Sequence, residues 1–195
     1  MHSIARPVSV GLLLGLLTLI FGIAWAVFLT LNHDRIHDYL GERGTEAAKG
    51  GVITGGEQAN ALHSHHDHAQ AVEEPHPDAS HAYMHEEDPM DQAHERLTRG
   101  HIHAMGLGLI SIAVSLIMPF LHAPNRIKAV ASACAGVGGF FYPISWIIMG
   151  LRTVTLGPEA AEKSVVPIVA LSVVFVLTGI SLAFIYLVKG VLRGD

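Results

Sequence analysis

Four long runs of the sequence contain no charged residue, and they constrain the fold more than any other feature. They cover residues 8–31, 104–121, 129–151 and 165–188. At a rise of about 1.5 Å per residue, the first run forms a helix of about 36 Å, which exceeds a hydrocarbon core of roughly 30 Å. Only 15% of the residues are charged, whereas soluble domains carry about 25%. The sequence therefore predicts an all-α integral membrane protein, a four-helix bundle in the bilayer.

A long polar insert separates the first run from the other three. Of the 17 acidic residues, 14 fall between Asp34 and Glu95. Residues 41–88 contain few large apolar side chains, so burial cannot offset the entropy that the segment would lose on folding. We therefore expect a largely disordered, histidine-rich, acidic loop. Six glycines are predicted to break regular structure in its first part: Gly41, Gly44, Gly50, Gly51, Gly55 and Gly56.

The end of this loop carries a helix start signal. Asp88 is an N-cap candidate, and Pro89 stands at the first helical position, a combination typical of helix N-termini. The predicted segments are a first membrane helix with an interfacial extension (1–40), the loop (41–88), and an interfacial helix followed by membrane helices two to four (89–195).

Small residues favour close helix packing in two of the runs. Gly11 and Gly15 form a GxxxG pair in the first run, and Gly22 and Ala26 repeat the four-residue spacing. In the third run, six of the nine residues at 131–139 are alanine or glycine. Such surfaces allow membrane helices to approach closely. For the first run, the ordinary glycine enrichment of membrane helices is an equal alternative.

Two pairs of histidines flank the insert. His33 and His37 follow the first run, and His101 and His103 precede the second. If both runs cross a bilayer, the chain leaves the membrane before His33 and returns near His101, so both pairs lie at the same membrane face. His33 and His37 are four residues apart and share one side of a helix.

These pairs suit a haem b or a copper or zinc ion. A bis-histidine haem b needs imidazoles from two facing helices, which His33 or His37 and His101 or His103 can supply. A copper or zinc site from the same side chains is the alternative, and interfacial histidines without any cofactor are the third.

One stripe of the predicted third segment carries further candidate ligands. His94, His101 and Met105 are spaced by seven and four residues and share a helix face, and Met105 is a soft ligand suited to copper. His103 points about 200° away from His101, so one helix does not aim both at one metal.

The loop itself contains a dense histidine tract. Imidazole binds zinc, copper, nickel and cobalt, and the tract selects no geometry among them. A solvated linker that is rich in histidine is the alternative interpretation. The tract consists of His63, His65, His66 and His68, followed by His76, His81 and His85.

Several function classes are disfavoured. The four runs contain no Asp, Glu, Lys, Arg or His, which a proton or ion pathway through the bilayer normally needs. Nucleophile elbow, P-loop, Rossmann and HExxH patterns are absent, so an independent enzyme is not expected. The single cysteine, Cys134, excludes an intrachain disulfide and a multi-cysteine metal site. No nucleic-acid partner is expected.

Charge distribution suggests an orientation in the cytoplasmic (inner) membrane. Both termini share one side, which also holds Arg126, Lys128, Lys189 and Arg193. The positive-inside rule therefore favours cytoplasmic termini. Arginines that flank the insert nearly cancel this bias, but the insert is acidic and too long for the rule, so we expect it on the periplasmic or extracellular side.

The start of the second run resembles a known motif. His101-Ile-His103 followed by Gly108 forms an HxHxxxxG pattern similar to that of small and medium membrane proteins related to haem–copper oxidase subunit I. The resemblance covers these eight residues and implies haem or copper at His101 and His103. The chain lacks the further intramembrane histidines of a haem–copper reaction centre, so dioxygen or nitric oxide chemistry is not implied.

Together these features predict a multi-pass membrane protein that binds haem b or a transition metal at its outer interface. We expect a subunit of a membrane redox complex, beside other membrane or periplasmic redox or metal-transport subunits. The alternatives are a histidine-rich metal-handling accessory of a transporter and a structural anchor without a cofactor.

Overall fold

The computed structural model describes residues 6–51 and 88–193, and the regular elements within these two ranges are all helical. Two short 3₁₀ turns, Arg6–Val8 and Met118–Phe120, flank the long helices. The helical structure confirms the predicted all-α class, and four of the helices are long and apolar enough to cross a membrane, consistent with the four predicted spans. In chain order the five α-helices are α1 (Ser9–Leu31), α2 (His33–Gly51), α3 (Pro89–Ile117), α4 (Asn125–Leu156) and α5 (Pro158–Arg193).

The four long helices are antiparallel to their chain neighbours. α3 and α4 form the centre, α1 packs against both, and α5 packs mainly against α4. We call the end with the α1–α2 junction, the start of α3 and the α4–α5 turn the histidine end. The opposite end, with the α3–α4 turn and the last turns of α5, is the basic end. The first and last described residues, Arg6 and Arg193, lie at this basic end.

Glycines bring the helix backbones into contact, as the small-residue pattern predicted. Gly11 and Gly15 of α1 are buried, and a Cβ at Gly15 would lie 3.1 Å from the Gly108 carbonyl oxygen of α3. Gly179 of α5 lies against Ala131 and Ala135 of α4 in the same way. Helices in lipid gain association energy from such van der Waals contact, because lipid tails are as apolar as leucine.

Buried serines add hydrogen bonds between these closely packed helices. Ser115 of α3 and Ser132 of α4 lie 2.7 Å apart at their hydroxyl oxygens, and Ser132 also donates to the Val8 carbonyl oxygen at 3.0 Å. Ser111 of α3 lies within 2.8 Å of the Ala135 carbonyl oxygen of α4. The hydroxyls are thus satisfied inside the bundle, where an unpaired polar group would be unfavourable.

The predicted loop begins later than expected. Gly41 and Gly44 do not break the chain, because α2 continues through both to Gly51, so the assignment of residues 41–51 to a disordered loop was wrong. Leu40 is fully buried and anchors α2, and the following residues include Glu42 and Glu46, which have high helix propensity. The remainder of the predicted loop, 52–87, lies outside the described residues.

The α4–α5 connection is short. Both helices extend into the polar stretch of residues 152–163 and leave Gly157 alone between them. Gly157 has a φ of 79°, which glycine adopts without a steric penalty. Pro158 then occupies the first turn of α5, where its missing N–H is tolerated.

Replacing Gly138 with alanine should destabilise the bundle. A Cβ there would collide with the Ser172 carbonyl oxygen of α5, and overpacking of this kind costs roughly 1–3 kcal/mol. Gly106→Ala is the matched control, because nothing lies within 4 Å of a Cβ at that position. Thermal unfolding of the purified protein in detergent, followed by circular dichroism, measures both. Equal melting temperatures for the two variants would contradict the close α4–α5 contact.

Candidate metal centre

The N-terminal part of α3 extends beyond its apolar run. Asp88 caps the helix, since its carboxylate accepts a hydrogen bond of 2.9 Å from the Met90 backbone N–H, and Pro89 follows at the first position, as predicted. A helix of 29 residues is about 44 Å long, more than the roughly 30 Å of a hydrocarbon core. His94 lies in this extension, ten residues before the apolar run begins at Ala104.

A bend at Asn32 places α2 beside this extension. The Asn32 side chain donates to the Phe28 carbonyl oxygen at 3.0 Å and interrupts the helix before His33. α2 then packs through Leu40, which belongs to one apolar cluster with Leu29 of α1, Leu97 of α3 and further residues of α3 and α4. This contact holds the first turns of α2 against α3 and α4.

Trp25 ties α1 to α3 at the same level. Its indole N–H donates a hydrogen bond of 3.1 Å to the Leu97 carbonyl oxygen, one turn along α3 from His94. On the other side of α3, Arg96 donates to the Thr153 hydroxyl at 2.8 Å and to the Pro158 carbonyl oxygen at 3.2 Å. The backbone that carries His94 is therefore fixed to α1 and to the α4–α5 turn.

Three imidazoles meet at this end of the bundle. The ring centroids of His33 and His37 are 4.8 Å apart, and those of His33 and His94 are 5.2 Å apart. The third pair, His37 and His94, is separated by 5.5 Å. One nitrogen from each ring lies within 4.8 Å of the others. We call these three residues the histidine triad.

The triad combines a protected side with an exposed one. His33 is exposed, whereas His37 and His94 are half-buried. Nδ1 of His94 is buried and has no hydrogen-bond partner among the residues that the structure describes. Buried polar atoms are normally paired, so this nitrogen has an unused capacity to bind a ligand.

The surroundings of His94 favour the neutral form of its imidazole. Burial lowers the pKa of His94 below its ordinary value, and the charges of His33 and His37 lower it further, while Asp91 acts in the opposite direction. A neutral imidazole has the free lone pair that a metal ion requires. The lowered pKa therefore reduces the competition of protons for this nitrogen.

The nitrogen separations suit a small ion after a modest adjustment. Zinc binds histidine nitrogen at about 2.0–2.1 Å, which sets tetrahedral nitrogens about 3.3 Å apart. The triad nitrogens lie within 4.8 Å of one another, so binding of one ion requires the most distant pair to approach by about 1.5 Å. The exposed edge at His33 leaves a fourth position for water or an exchanging ligand.

The structure brings together three of the residues that the sequence proposed as ligands. His33 and His37 share one face of α2, as their spacing predicted, and their neighbour is His94 rather than His101. His101 lies two turns further along α3, about 10 Å by helix rise. It is half-buried, and its Nδ1 also has no partner in the described ranges.

The other proposed ligands lie elsewhere. His103 is on a different side of α3, between Tyr142 and Trp146 of α4, at ring-centroid distances of 5.1 and 5.3 Å. Met105 is exposed and packs near Gly22 of α1. The tract ligands His63, His65, His66 and His68 lie outside the described residues.

One sequence signal for the triad was overlooked. The first turns of α2 alternate two histidines with two apolar residues, His33, Ile36, His37 and Leu40. Burial of Ile36 and Leu40 against the bundle turns the adjacent histidines towards α3, and the periodicity of these four residues contains that information.

Comparison with known proteins gives no relatives: no family model, no curated protein and no solved structure matches this chain.

Proposed function

We propose that this protein binds one divalent transition-metal ion at the histidine end, through the triad of His33, His37 and His94. The observation that carries the proposal is the convergence of one nitrogen from each of three imidazoles within 4.8 Å. Two helices supply the ligands, and both extend past the apolar runs. The bound ion therefore lies at the membrane interface rather than within the bilayer core.

The donor set favours zinc, copper, nickel or cobalt. Imidazole suits each of these ions, whereas magnesium and calcium prefer oxygen ligands. Structural zinc sites have four protein ligands, while sites with three protein ligands keep a position open for water or substrate. Three imidazoles with an exposed edge at His33 thus favour an exchangeable ion.

Haem b is the less favoured cofactor. Its two axial imidazoles must lie on opposite sides of a porphyrin, and the three triad rings are packed around one point with centroids 4.8 to 5.5 Å apart. The positions implied by the oxidase resemblance, His101 and His103, lie on different sides of α3. A single haem between the two original histidine pairs would require a rearrangement of α2.

The function that fits an exchangeable ion is metal handling at the membrane surface. The segment that connects α2 to α3 in the sequence contains the seven histidines from His63 to His85. Ions bound to this tract are therefore tethered near the triad. Tethering raises their effective concentration there. We propose that the protein passes the ion to or from a membrane or periplasmic partner, a metal transporter or a redox subunit.

Replacing one triad ligand should remove the ion. His37→Ala or His94→Ala leaves two imidazoles, and we expect zinc affinity to fall by more than the roughly 10- to 100-fold typical for loss of an outer-shell partner. The double variant should be little worse than either single one, because both residues act on one centre. Zinc titration of the purified protein, with and without residues 60–87, separates the triad from the tract.

Two other histidines are the controls. His101→Ala lies on the same helix but outside the triad, and His122→Ala lies at the basic end, so both should retain zinc. Full retention in His37→Ala and His94→Ala would refute the triad. Haem absorption that is lost only in His101→Ala would favour the haem alternative instead.

Zinc binding should weaken as the solution becomes acidic. Protons compete for the same nitrogens, so we expect tight binding at about pH 7.5 and a progressive loss below about pH 6.5. Because its pKa is lowered in the fold, neutral His94 also contributes stability above its ordinary pKa of 6.5. That contribution is lost as the pH falls through the lowered value. Zinc titrations and apo-protein melting across this range, with His94→Gln for comparison, measure both effects.

The histidine end is proposed to face the periplasm or the cell exterior. In a Cys134→Ala background, Glu42→Cys at the histidine end should react with a membrane-impermeant maleimide on intact cells. Arg126→Cys at the basic end should react only after lysis. Both substituted side chains are exposed, so the difference reports the membrane side. The reverse pattern would invert the orientation.

A further inference from the structure

The basic end contains a polar pocket that the metal site does not use. It has a volume of about 260 Å³ and lies between the α3–α4 turn and the last turns of α5. His122 follows α3 and Tyr186 belongs to α5, and Lys189 and Arg193 lie one turn apart along α5. The lining residues are His122, Pro124, Tyr186, Lys189, Gly190 and Arg193.

The charges in this pocket are all of one sign. Lys189 and Arg193 are exposed and four residues apart, so they share one face of α5. The Lys189 ammonium lies 5.2 Å from the centroid of the Tyr186 ring, a cation–π distance that holds it at the pocket. Neither basic side chain has a carboxylate partner among the ion pairs of the described residues.

The acidic residues of the described chain lie elsewhere. Those before Asn125 run from Asp34 to Glu95, and the later two, Glu159 and Glu162, begin α5, so all belong to the histidine end. Arg126 and Lys128 add further positive charge to the basic end.

The pocket lies at the depth of lipid headgroups. The uncharged run of α5 stops at Val188, immediately before Lys189. On the membrane side of Lys189, Phe184 is 62% exposed and Ile185 is 45% exposed, so apolar surface adjoins the basic side chains. A ligand with an anionic group and an apolar chain can contact both the basic side chains and this apolar surface, whereas a free anion contacts only the basic side chains.

We propose that this pocket binds the phosphate group of an anionic glycerophospholipid. Lys189 and Arg193 supply the positive charge, and the Tyr186 hydroxyl and His122 line the headgroup space. The acyl chain covers Phe184 and Ile185 on the membrane side. Basic pockets at the ends of membrane helices recognise anionic lipids in this way. This site is independent of the triad, so neither proposal depends on the other.

Native mass spectrometry of the full-length protein in detergent tests this site. We expect bound phosphatidylglycerol to be retained in preference to phosphatidylcholine. Removal of each positive charge, in Lys189→Gln and Arg193→Gln, should weaken retention by about fivefold. The matched controls Arg152→Gln and Lys163→Gln are exposed basic residues at the histidine end and should leave it unchanged.

Three outcomes would overturn the proposal. Equal retention of the two lipids would remove the charge preference, and equal weakening by the control variants would remove the location. Inorganic phosphate that displaces phosphatidylglycerol at equal concentration would show a soluble-anion site rather than a lipid site. Circular dichroism of each variant verifies that the helices are intact.

Discussion

Backbone contact between small residues is the constraint on which this structure depends. Inside a bilayer the hydrophobic effect does not drive one apolar helix onto another. The helices associate here because glycines such as Gly15 and Gly108 let their backbones meet, and because Ser115 and Ser132 hydrogen bond across the contact. The larger apolar side chains point outward, where Leu13 and Phe184 are exposed to lipid.

The histidine triad is a consequence of that packing, extended beyond the membrane. Once α1 and α3 are held together by their glycines, the first turns of α2 and α3 emerge side by side. Leu40 then buries itself against the bundle, and the ligands of α2 face His94. A bound ion would join a helix that is anchored by few contacts to one that is fixed on two sides, so metal binding should stabilise α2 more than α3.

Local features of the site were predictable from the sequence, while the pairing of its helices was not. The shared face of His33 and His37 follows from their spacing, and the Asp88 cap follows from residue type alone. Which histidine of α3 meets His37 depends on how α2 and α3 are displaced along their axes. The long insert separates these two helices in the sequence. No periodicity encodes that displacement, so the sequence predicted His101 or His103 as the partner, whereas the structure has His94.

The prediction that the helix ends near residue 40 failed for a different reason. Gly41 and Gly44 each disfavour a helix by about 1 kcal/mol relative to alanine, and on their own they predicted a break. Leu40, which directly precedes Gly41, is buried against the bundle. This tertiary contact outweighed the low helix propensity of the two glycines. Gly41 and Gly44 are therefore helical because their neighbours, Leu40 above all, favour the helix.

The position of Trp25 gives the protein an internal optical reporter. Trp25 and Trp146 are its two tryptophans, and both lie at the histidine end, Trp25 bonded to Leu97 beside the triad and Trp146 against His103. Paramagnetic ions quench indole emission at short range, whereas zinc does not. The intrinsic fluorescence of the unlabelled chain can therefore distinguish which kind of ion occupies this end, with no dye attached.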